Sequence, residues 1–252
     1  MGVFEKFARI YSEGGYGDFS RRMADLLPAA LRQIGFKPST VLDLACGDGT
    51  FAVAMAADGF RVTGLDVSPH LLEFAGKKAG KADTGAEFVL GDMRKLPFKE
   101  QFDLVTCWFD SLNYLTESED LKATFTGVSH ALRPGGLFIF DMNTIYGLAV
   151  NWPKSPCYIQ QDADRIFEVH LPAFDHETGL ASMRIIAFSK HGRTWQRIEE
   201  EHEERGYPQQ EIRSYLGNAG FQVLACWGSF REMSEARPDS SRVWYVAKKA
   251  GK

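Results

Sequence analysis

Apolar and polar positions between residues 41 and 142 form blocks with two kinds of spacing. Short apolar runs bounded by glycine or polar residues are typical of buried strands, whereas apolar residues three or four apart are typical of helices. The pattern predicts strands at 41–45, 61–67, 87–93, 102–108 and 136–143, and helices at 51–59, 68–80 and 118–132, the last capped by Ser118. Strands that alternate with helices indicate right-handed crossovers and a mostly parallel sheet covered on both faces, which is a doubly wound α/β fold.

Residues 151–205 break this alternation. Every second position tends to be apolar in the segments RIFEVHLPAF, ASMRIIAFSK and RTWQRIEEEHEE, and turn residues separate them. A spacing of two is typical of a strand with one buried face. We therefore predict an inserted small antiparallel β-sheet of three strands.

The chain beyond this insertion is predicted to return to the main sheet. A helix opens at Gly206-Tyr207-Pro208 and runs to about Ala219, and strands follow at 221–228 and 242–249. Residues 1–40 are predicted to be helical, with an interruption at Pro28. The predicted organisation is thus an N-terminal helical cap (1–40), a core formed by 41–150 and 206–252, and a β insertion (151–205).

Composition excludes several classes of protein. A hydrophobic fraction of 44%, a charged fraction of 25% and a net charge of -4 are ordinary for a soluble globular protein and argue against a dedicated nucleic-acid binder. The four cysteines are widely spaced, without a zinc-ligand pattern, so no metal site is predicted. The first residues, MGVFEKFARI, contain no long apolar run, so we expect no signal peptide or membrane anchor and a cytoplasmic location.

The segment VLDLACGDGT, from Val41 to Thr50, is predicted to be a buried strand that runs into a glycine-containing turn. Gly47 and Gly49 lack a Cβ, so a ligand can approach the backbone there. Asp43 lies within the apolar strand, where a carboxylate is costly to bury without a partner, and we expect that partner to be the ligand.

Three aspartates follow or end successive strands. Asp43 belongs to the first strand, Asp66 ends the second and Asp92 follows the third. Each of them alone could be a capping or turn residue. Together they indicate a ligand site, because ligands of doubly wound folds bind beyond the carboxyl ends of the strands, where an acidic residue accepts hydrogen bonds from a ribose.

Five stretches of the sequence resemble motifs of the class I S-adenosylmethionine-dependent methyltransferases. They are VLDLACGDGT, VTGLDVS, FVLGDMRKLPF, FDLVTCWFDSLNYL and LRPGGLFIFDMNT, and the resemblance covers nearly the whole chain beyond residue 40. It implies a Rossmann-like seven-stranded sheet whose last strand is antiparallel. It also implies S-adenosyl-L-methionine as cofactor and S-adenosyl-L-homocysteine as product.

The same resemblance assigns cofactor-binding residues by position. Gly47 and its neighbours would contact the methionine part, Asp66 the ribose hydroxyls and Asp92 the adenine amino group. The full predicted set is Asp43, Ala45, Cys46, Gly47, Gly49, Asp66, Val67, Asp92, Met93 and Cys107. Ala45 departs from the family pattern, since many members have glycine at that position.

Two other functions compete with a methyltransferase. A NAD-dependent oxidoreductase needs G-x-G-x-x-G in this turn, but the turn here contains Asp48, whose charge would oppose two phosphates. An acidic turn instead suits the positive sulfonium of S-adenosylmethionine. A non-catalytic S-adenosylmethionine-binding protein would keep the acidic residues and lack an open acceptor pocket.

Methyl transfer from a sulfonium is an in-line displacement that depends mainly on positioning, with a general base needed for a hydroxyl acceptor. Tyr16 and Asp110 are the predicted catalytic residues. Further candidates near the methyl group are Asn113, Tyr114, Asp141 and Asn143. His170 and His202 lie in the insertion, where a strand histidine is more often solvated, and Arg21 and Arg22 are expected to be solvated rather than bound to the cofactor.

The acceptor is predicted to be a small molecule methylated on N or O. Phe109-Asp110-Ser111-Leu112 follows the fourth strand, in place of the Asn/Asp-Pro-Pro-aromatic motif associated with nucleobase or glutamine nitrogens. The insertion resembles that of the amino-sugar N-methyltransferases and glycine methyltransferases, and it would serve as an acceptor lid or a homodimer surface. Its aromatic residues Phe167, Phe174, Phe188 and Trp195 fit either role, and the run from Glu199 to Glu204 is predicted to be a solvated strand face. Nucleic acid and membrane partners are not expected.

Overall fold

A computed structural model describes residues 4 and 6–251. Residues 1–3, 5 and 252, which fall within the predicted N-terminal cap and at the end of the predicted core, lie outside the described residues. The strands are β1 (Thr40–Leu44), β2 (Arg61–Asp66), β3 (Glu87–Leu90), β4 (Phe102–Cys107), β5 (Leu132–Asn143), β6 (Tyr158–Asp162), β7 (Ile166–Asp175), β8 (Leu180–His191), β9 (Thr194–Arg205), β10 (Phe221–Ser229), β11 (Ser234–Glu235) and β12 (Arg242–Lys249). The helices are α1 (Ala8–Glu13), α2 (Gly17–Ile34), α3 (Thr50–Ala57), α4 (Pro69–Ala82), α5 (Ser118–Ala131) and α6 (Gln209–Asn218).

The main sheet has the strand order β11-β10-β12-β5-β4-β1-β2-β3. Strands β1 to β5 pair in parallel, and β12 lies between β5 and β10, antiparallel to both. The predicted doubly wound sheet of seven strands with an antiparallel last strand is therefore confirmed. The eighth strand, β11, is a two-residue edge strand that is too short to produce a pattern in the sequence.

Two apolar cores cover the faces of the main sheet. One packs α5 and α6 against the sheet through Leu121, Phe125, Ile212 and Leu216. The other packs α2 and α3 against it, with Leu27 and Phe51 among the fully buried residues. Because both faces are covered, the sheet leaves its carboxyl edge as the place where polar side chains can meet a ligand.

A second sheet is antiparallel, with the order β6-β7-β8-β9. Three of its strands match the predicted segments, and β6 was not predicted, because its five residues alternate irregularly and are mostly exposed. Apolar side chains on the inner face, including Ile166 and Ile185, pack against Phe7 and Ile10 at the N-terminal end of the chain.

Two local predictions are wrong. Helix α2 continues through Pro28, because the apolar face formed by Met23, Leu27 and Leu31 is held against the core although proline removes one backbone hydrogen bond. Ser118 is the first residue of α5, and the capping position is Glu117, which makes no side-chain cap. None of the helices within the described residues is long and apolar enough to cross a membrane.

Candidate functional site

A cavity of about 840 Å³ lies between the two sheets. One end is at the carboxyl edge of β1 to β4, and the other reaches the inner face of the second sheet. Residues at the first end include Ala45, Gly47, Asp66, Val67, Asp92, Met93 and Arg94. Residues towards the second end include Tyr16, Asp110, Trp152, Tyr158, His170, Met183, Ile185, His202, Glu204 and Arg242.

Six of the ten predicted cofactor residues line this cavity: Ala45, Gly47, Asp66, Val67, Asp92 and Met93. The other four, Asp43, Cys46, Gly49 and Cys107, do not line it and lie behind the wall. Both predicted catalytic residues, Tyr16 and Asp110, do line it. The motifs thus lie at the edge of the sheet where the cavity opens, and the four residues that do not line it belong to VLDLACGDGT and FDLVTCWFDSLNYL.

Asp66 is the carboxylate at the centre of the cofactor end. Its two oxygens accept backbone N–H bonds from Gly47 and Ser68, each at 2.8 Å. Burial raises the pKa of Asp66, and these N–H groups counteract the rise by stabilising the ionised form. Each carboxylate oxygen has a second lone pair, so Asp66 can also accept hydrogen bonds from a diol.

The turn after β1 is held in left-handed backbone conformations. Ala45 has φ +52°, Gly47 +56° and Gly49 +74°. A Cβ at Gly49 would lie 2.7 Å from the Cβ of Ala75, so glycine is required there for the packing of α4. A Cβ at Gly47 would lie 3.4 Å from the Tyr11 ring, which packs directly on the turn.

Asp43 has a protein partner, so the prediction that its partner is the ligand is wrong. Thr106, opposite it on β4, donates a hydrogen bond to Asp43 Oδ1 at 3.0 Å. Asp43 is 2% exposed, and burial raises its pKa to about 8. The aspartate therefore joins two central strands.

Asp48 also differs from its expected role. Its carboxylate forms an ion pair with Lys78 of α4 and accepts a hydrogen bond from the Thr50 hydroxyl at 2.7 Å. Lys78 therefore neutralises the Asp48 charge, which we expected to suit a cationic ligand. The carboxylates that line the cofactor end are those of Asp66 and Asp92 instead.

Asp92 lies at the mouth of the cavity. It caps a short 3-10 helix by accepting the N–H of Arg94 at 2.9 Å, and the Arg94 guanidinium contacts both of its oxygens. These bonds lower the pKa of Asp92. Val67, which is apolar and 67% exposed, lies in the same part of the wall. A carboxylate beside exposed apolar surface fits an aromatic base with an amino group, so these residues fit the nucleoside part of S-adenosylmethionine.

A hydrogen-bonded network lies at the acceptor end. The hydroxyl of Tyr16 donates to Oε1 of Glu168, and Nε2 of His170 contacts the same oxygen. The Tyr158 hydroxyl lies 3.2 Å from Nδ1 of His170. Glu168 is completely buried, and its Oε2 has no hydrogen-bond partner among the described residues. Burial and the neighbouring Glu168 charge raise the pKa of Tyr16, so its phenol keeps its proton in the resting site.

A second polar cluster surrounds Arg242 on β12. Its guanidinium forms ion pairs with Asp110 and Asp141. The amide of Asn143 donates to Asp110 and to Glu204, both at 2.8 Å. Burial raises the pKa of Asp141 to about 6 although Arg242 opposes the rise. Burial and the charge of Asp110 raise the pKa of Glu204 well above its ordinary value.

The remaining candidates divide between the cavity and the scaffold. Tyr114 lines the cavity, whereas Asn113 donates to the backbone oxygens of Asn143 and Arg205 and holds the loop after β4. Arg21 and Arg22 are exposed on α2, as expected. The four aromatic residues singled out in the insertion, Phe167, Phe174, Phe188 and Trp195, are not among the residues that line the cavity.

The prediction of a solvated acidic face on β9 is wrong for alternate residues. His202 and Glu204 are 3% and 2% exposed and line the cavity, and the side chain of Glu200 is 11% exposed. Glu200 accepts backbone N–H bonds from Phe4, Lys6 and Phe7, and so ties the N-terminal residues to the second sheet.

Sequence reasoning missed Glu168, Glu204 and Arg242, and it expected a solvated His170, which is 6% exposed. A signal for three of them was present. Glu168 and His170 lie two and four positions after buried Ile166 on β7, and Glu204 lies six positions after buried Ile198 on β9. Since strand residues two apart point to the same face, these apolar residues mark the inward face.

The sheet order and the ligand cavity at the strand ends define a Rossmann-like α/β fold of the kind that binds nucleosides. Comparison with known proteins makes the assignment specific. Residues 41–136 match the family model described as "Methyltransferase domain". The Bacillus subtilis (strain 168) protein with the name "Putative methyltransferase YqeM" is 31% identical over 254 residues, which cover 98% of each chain.

Two further relatives are informative. The crystal structure of an S-adenosylmethionine-dependent methyltransferase from Clostridium acetobutylicum ATCC 824 has a TM-score of 0.85 at 29% identity, covering 99% of this chain and 100% of that one. A dTDP-3-amino-3,6-dideoxy-alpha-D-glucopyranose N,N-dimethyltransferase from Streptomyces fradiae is 30% identical over 139 residues, which are 54% of this chain and 52% of that protein. The chain belongs to the class I S-adenosylmethionine-dependent methyltransferases. Its cofactor is S-adenosyl-L-methionine.

Proposed function

We propose that this methyltransferase transfers a methyl group to an N or O atom of a small-molecule acceptor. The observation that carries the proposal is the cavity of about 840 Å³, which extends from the cofactor residues to the second sheet. Pockets for a small ligand commonly measure about 300–1,000 Å³, and this cavity continues past the cofactor residues to Tyr158 and His170 of the second sheet. A protein that only bound the cofactor would have no use for the additional polar wall.

The proposed cofactor contacts follow the lining of the cavity. Asp66 accepts hydrogen bonds from the ribose, Asp92 and Met93 bind the adenine, and Ala45 and Gly47 contact the methionine part. Asp43, Cys46, Gly49 and Cys107 shape the turn from behind. The carboxylate of Asp66 is buried and already oriented by two N–H groups, so little ordering is required when the ribose binds.

S-adenosylmethionine supplies a methyl group on a positively charged sulfur. When the methyl group is transferred, this sulfur departs as a neutral thioether, which is a good leaving group. The protein's task is then to hold the acceptor atom about 3 Å from the methyl carbon and in line with the sulfur. Tyr16, Tyr158 and His170 are placed to form the wall against which the acceptor is held.

An acceptor that carries a proton on its nucleophilic atom must lose it. We assign this step to Tyr16, whose oxygen can take the acceptor's proton while its own phenolic proton passes to Glu168. Asp110 is already bonded to Arg242 and Asn143, and we assign it a positioning role around the guanidinium.

The second sheet serves, in this proposal, as the acceptor lid. Five of its residues that line the cavity are Tyr158, His170, Met183, Ile185 and Glu204, and they combine apolar contact with polar groups. The Streptomyces fradiae relative, whose name specifies an amino sugar, supports a small-molecule acceptor. The net charge of -4 supports a partner other than nucleic acid, and we expect the protein to act in the cytoplasm.

The test is release of S-adenosylhomocysteine across a panel of amines and hydroxyl compounds. Turnover with at least one acceptor supports the proposal, whereas tight cofactor binding without any turnover favours a non-catalytic binding protein. The cofactor site is tested by calorimetry with Asp66→Ala, which should weaken S-adenosylmethionine binding by tenfold or more, since charge-assisted hydrogen bonds contribute about 1.5–3 kcal/mol each. Asp58→Ala, which alters an exposed aspartate after α3, is the matched control.

A further inference from the structure

An aromatic wall surrounds the middle of the cavity. We use this name for Phe4, Phe7, Tyr11, Tyr16, Phe109 and Tyr114, all of which line the cavity. Their rings form a continuous series: the centroids are 5.4 Å apart for Phe4 and Tyr11, 5.1 Å for Tyr11 and Tyr16, and 6.3 Å for Tyr16 and Phe109. Aromatic faces carry partial negative charge and attract cations.

Buried carboxylates lie around this wall on several different elements. Asp110, after β4, and Glu204, on β9, line the cavity. Asp141 on β5 and Glu168 on β7 lie directly behind it, where Asp141 accepts the Phe109 N–H and Glu168 accepts the Tyr16 hydroxyl. All four are buried. Burial and the charge of Asp110 raise the pKa of Glu204, so its carboxyl holds a proton more readily before a cation binds, and an ammonium beside it favours the ionised form. A carboxylate ionised in this way and shielded from water attracts the cation more strongly than a surface charge does.

Basic groups do not balance these acids. Among the described residues of the cavity wall, the Lys and Arg side chains are those of Arg94 and Arg242. Arg94 pairs with Asp92 and Asp120, and Arg242 pairs with Asp110 and Asp141. His170 and His202 of the second sheet each face a glutamate. An anionic acceptor would therefore meet no Lys or Arg of the described wall that lacks a carboxylate partner. The third histidine of the wall, His70, belongs to the first turn of α4, beside the cofactor residues Asp66 and Val67.

We propose that the acceptor end of the cavity is a cation site, which receives an amine in its ammonium form between the aromatic wall and Glu204. The acceptor is then an amine, and the reaction is N-methylation. The inference rests on the proposed function and narrows its acceptor class. It is carried by the coincidence of a continuous aromatic surface, buried carboxylates and the absence of an unpaired Lys or Arg in the described wall.

The ammonium must lose a proton before it can attack. The proton moves to the oxygen of Tyr16 while the phenolic proton of Tyr16 moves to Glu168, which leaves a neutral amine and a protonated glutamate. Two cations held side by side repel each other, so this loss is favoured once cofactor and acceptor are both bound. The nitrogen lone pair then forms the new N–C bond as the C–S bond breaks, and the sulfur keeps the bonding electrons. The product leaves as a methylated ammonium.

The test uses two probes of almost equal shape, choline and 3,3-dimethylbutan-1-ol, which differ in carrying a quaternary nitrogen or a quaternary carbon. Each is titrated by calorimetry into protein saturated with S-adenosylhomocysteine. We expect choline to bind about tenfold or more tightly than the neutral alcohol, as one or two cation–π contacts would provide. Phosphocholine, which adds an anion, should bind more weakly than choline. Equal binding of choline and the alcohol, or no detectable binding of choline, overturns the cation site.

Variants test whether the preference for choline over the neutral alcohol depends on the residues named above. Glu204→Gln and Phe109→Leu should each reduce the ratio of choline to alcohol affinity several-fold. Glu203→Gln, on the neighbouring exposed position of β9, should leave the ratio unchanged. Retained S-adenosylhomocysteine binding verifies that each variant is folded. Failure of the wild-type protein to bind S-adenosylhomocysteine would instead contradict the proposed function, so the two failures are distinguishable. A ratio unchanged in both cavity variants overturns the inference.

Discussion

Replacing Asp43 with asparagine should make the protein more stable at alkaline pH and less stable at acidic pH. Asp43 is 2% exposed between central strands, and Thr106 donates the hydrogen bond recorded for its side chain. Asparagine has the same shape and can keep this bond through its amide oxygen. The substitution therefore isolates the effect of the buried ionisable group.

The magnitude follows from the raised pKa. Burial moves the pKa of Asp43 from 3.8 to about 8, so between these values the folded protein holds a proton that the unfolded chain has lost. Stability then falls as pH rises, by about 1.4 kcal/mol per pH unit within this window, and the whole penalty is on the order of 6 kcal/mol above pH 8. Below about pH 4 both states are protonated and the penalty is absent.

Asparagine removes the penalty but must bury an amide N–H₂ group, which costs about 1–3 kcal/mol at every pH when the group is unpaired. The two stability curves should therefore cross between about pH 4.5 and pH 6. Above pH 8 the variant should be the more stable protein by about 3–5 kcal/mol.

The assay is urea-induced unfolding of both proteins from pH 4 to pH 9, with the free energy of unfolding extrapolated to water. Other buried acids, such as Asp141 and Glu204, remain in both proteins, so their contributions cancel in the difference. Asp58→Asn makes the same chemical change at an exposed site and should show a constant difference. A difference between Asp43→Asn and the wild type that does not vary with pH would refute the reasoning.

Three further substitutions test other parts of the structure. Glu168→Gln should lower kcat by about a hundredfold or more with an ammonium or hydroxyl acceptor, because the proton that passes through Tyr16 loses its final acceptor. The affinity for S-adenosylmethionine should stay unchanged. A wild-type kcat in this variant would contradict proton transfer from Tyr16 to Glu168. Arg242→Leu should destabilise the protein by about 3–5 kcal/mol in urea unfolding, because Asp110 and Asp141 lose their buried partner; an unchanged midpoint would show that the ion pairs contribute little. Gly49→Ala should lower Tm by several degrees, since φ is +74° and the new Cβ would lie 2.7 Å from Ala75. Gly76→Ala, whose Cβ would meet open space within α4, should raise Tm slightly, and equal effects of the two changes would exclude the packing argument.

The main sheet could be predicted because its pattern is local. Each strand is a short apolar run, each helix has an apolar face, and the motifs around Gly47, Asp66 and Asp92 occur at the strand ends. The edge strand β11, with two residues, and β6, with its irregular exposure, do not have enough residues to form such a pattern.

The partners of charged residues could not be predicted, because they depend on how distant elements pack. Asp48 and Lys78 are thirty residues apart, and they pair because α4 lies over the turn. Arg242 follows Asp141 by 101 positions and meets it because β12 inserts antiparallel beside β5. An acidic residue in a motif therefore does not by itself predict the charge that a ligand encounters.

The acceptor end was the least predictable part of the site. Glu168 was not considered, and Glu204 was assigned to a solvated face, because a run of charged residues on a strand is usually exposed. The period of two does identify the inward positions once Ile166 and Ile198 are recognised as buried. What the sequence could not supply is the cavity that these positions face, since it forms only when the second sheet and the N-terminal residues come together.

The two ends of the cavity are built on two separately hydrogen-bonded sheets. A substitution at an inward position of β7, β8 or β9 changes the acceptor wall without altering the register of β1, β2 and β4, which sets the glycine turn and Asp66. Acceptor choice can therefore diverge between relatives while the cofactor half remains constant. A library that varies the inward positions of the second sheet, such as Met183 and Ile185, is therefore the place to search for a new acceptor specificity.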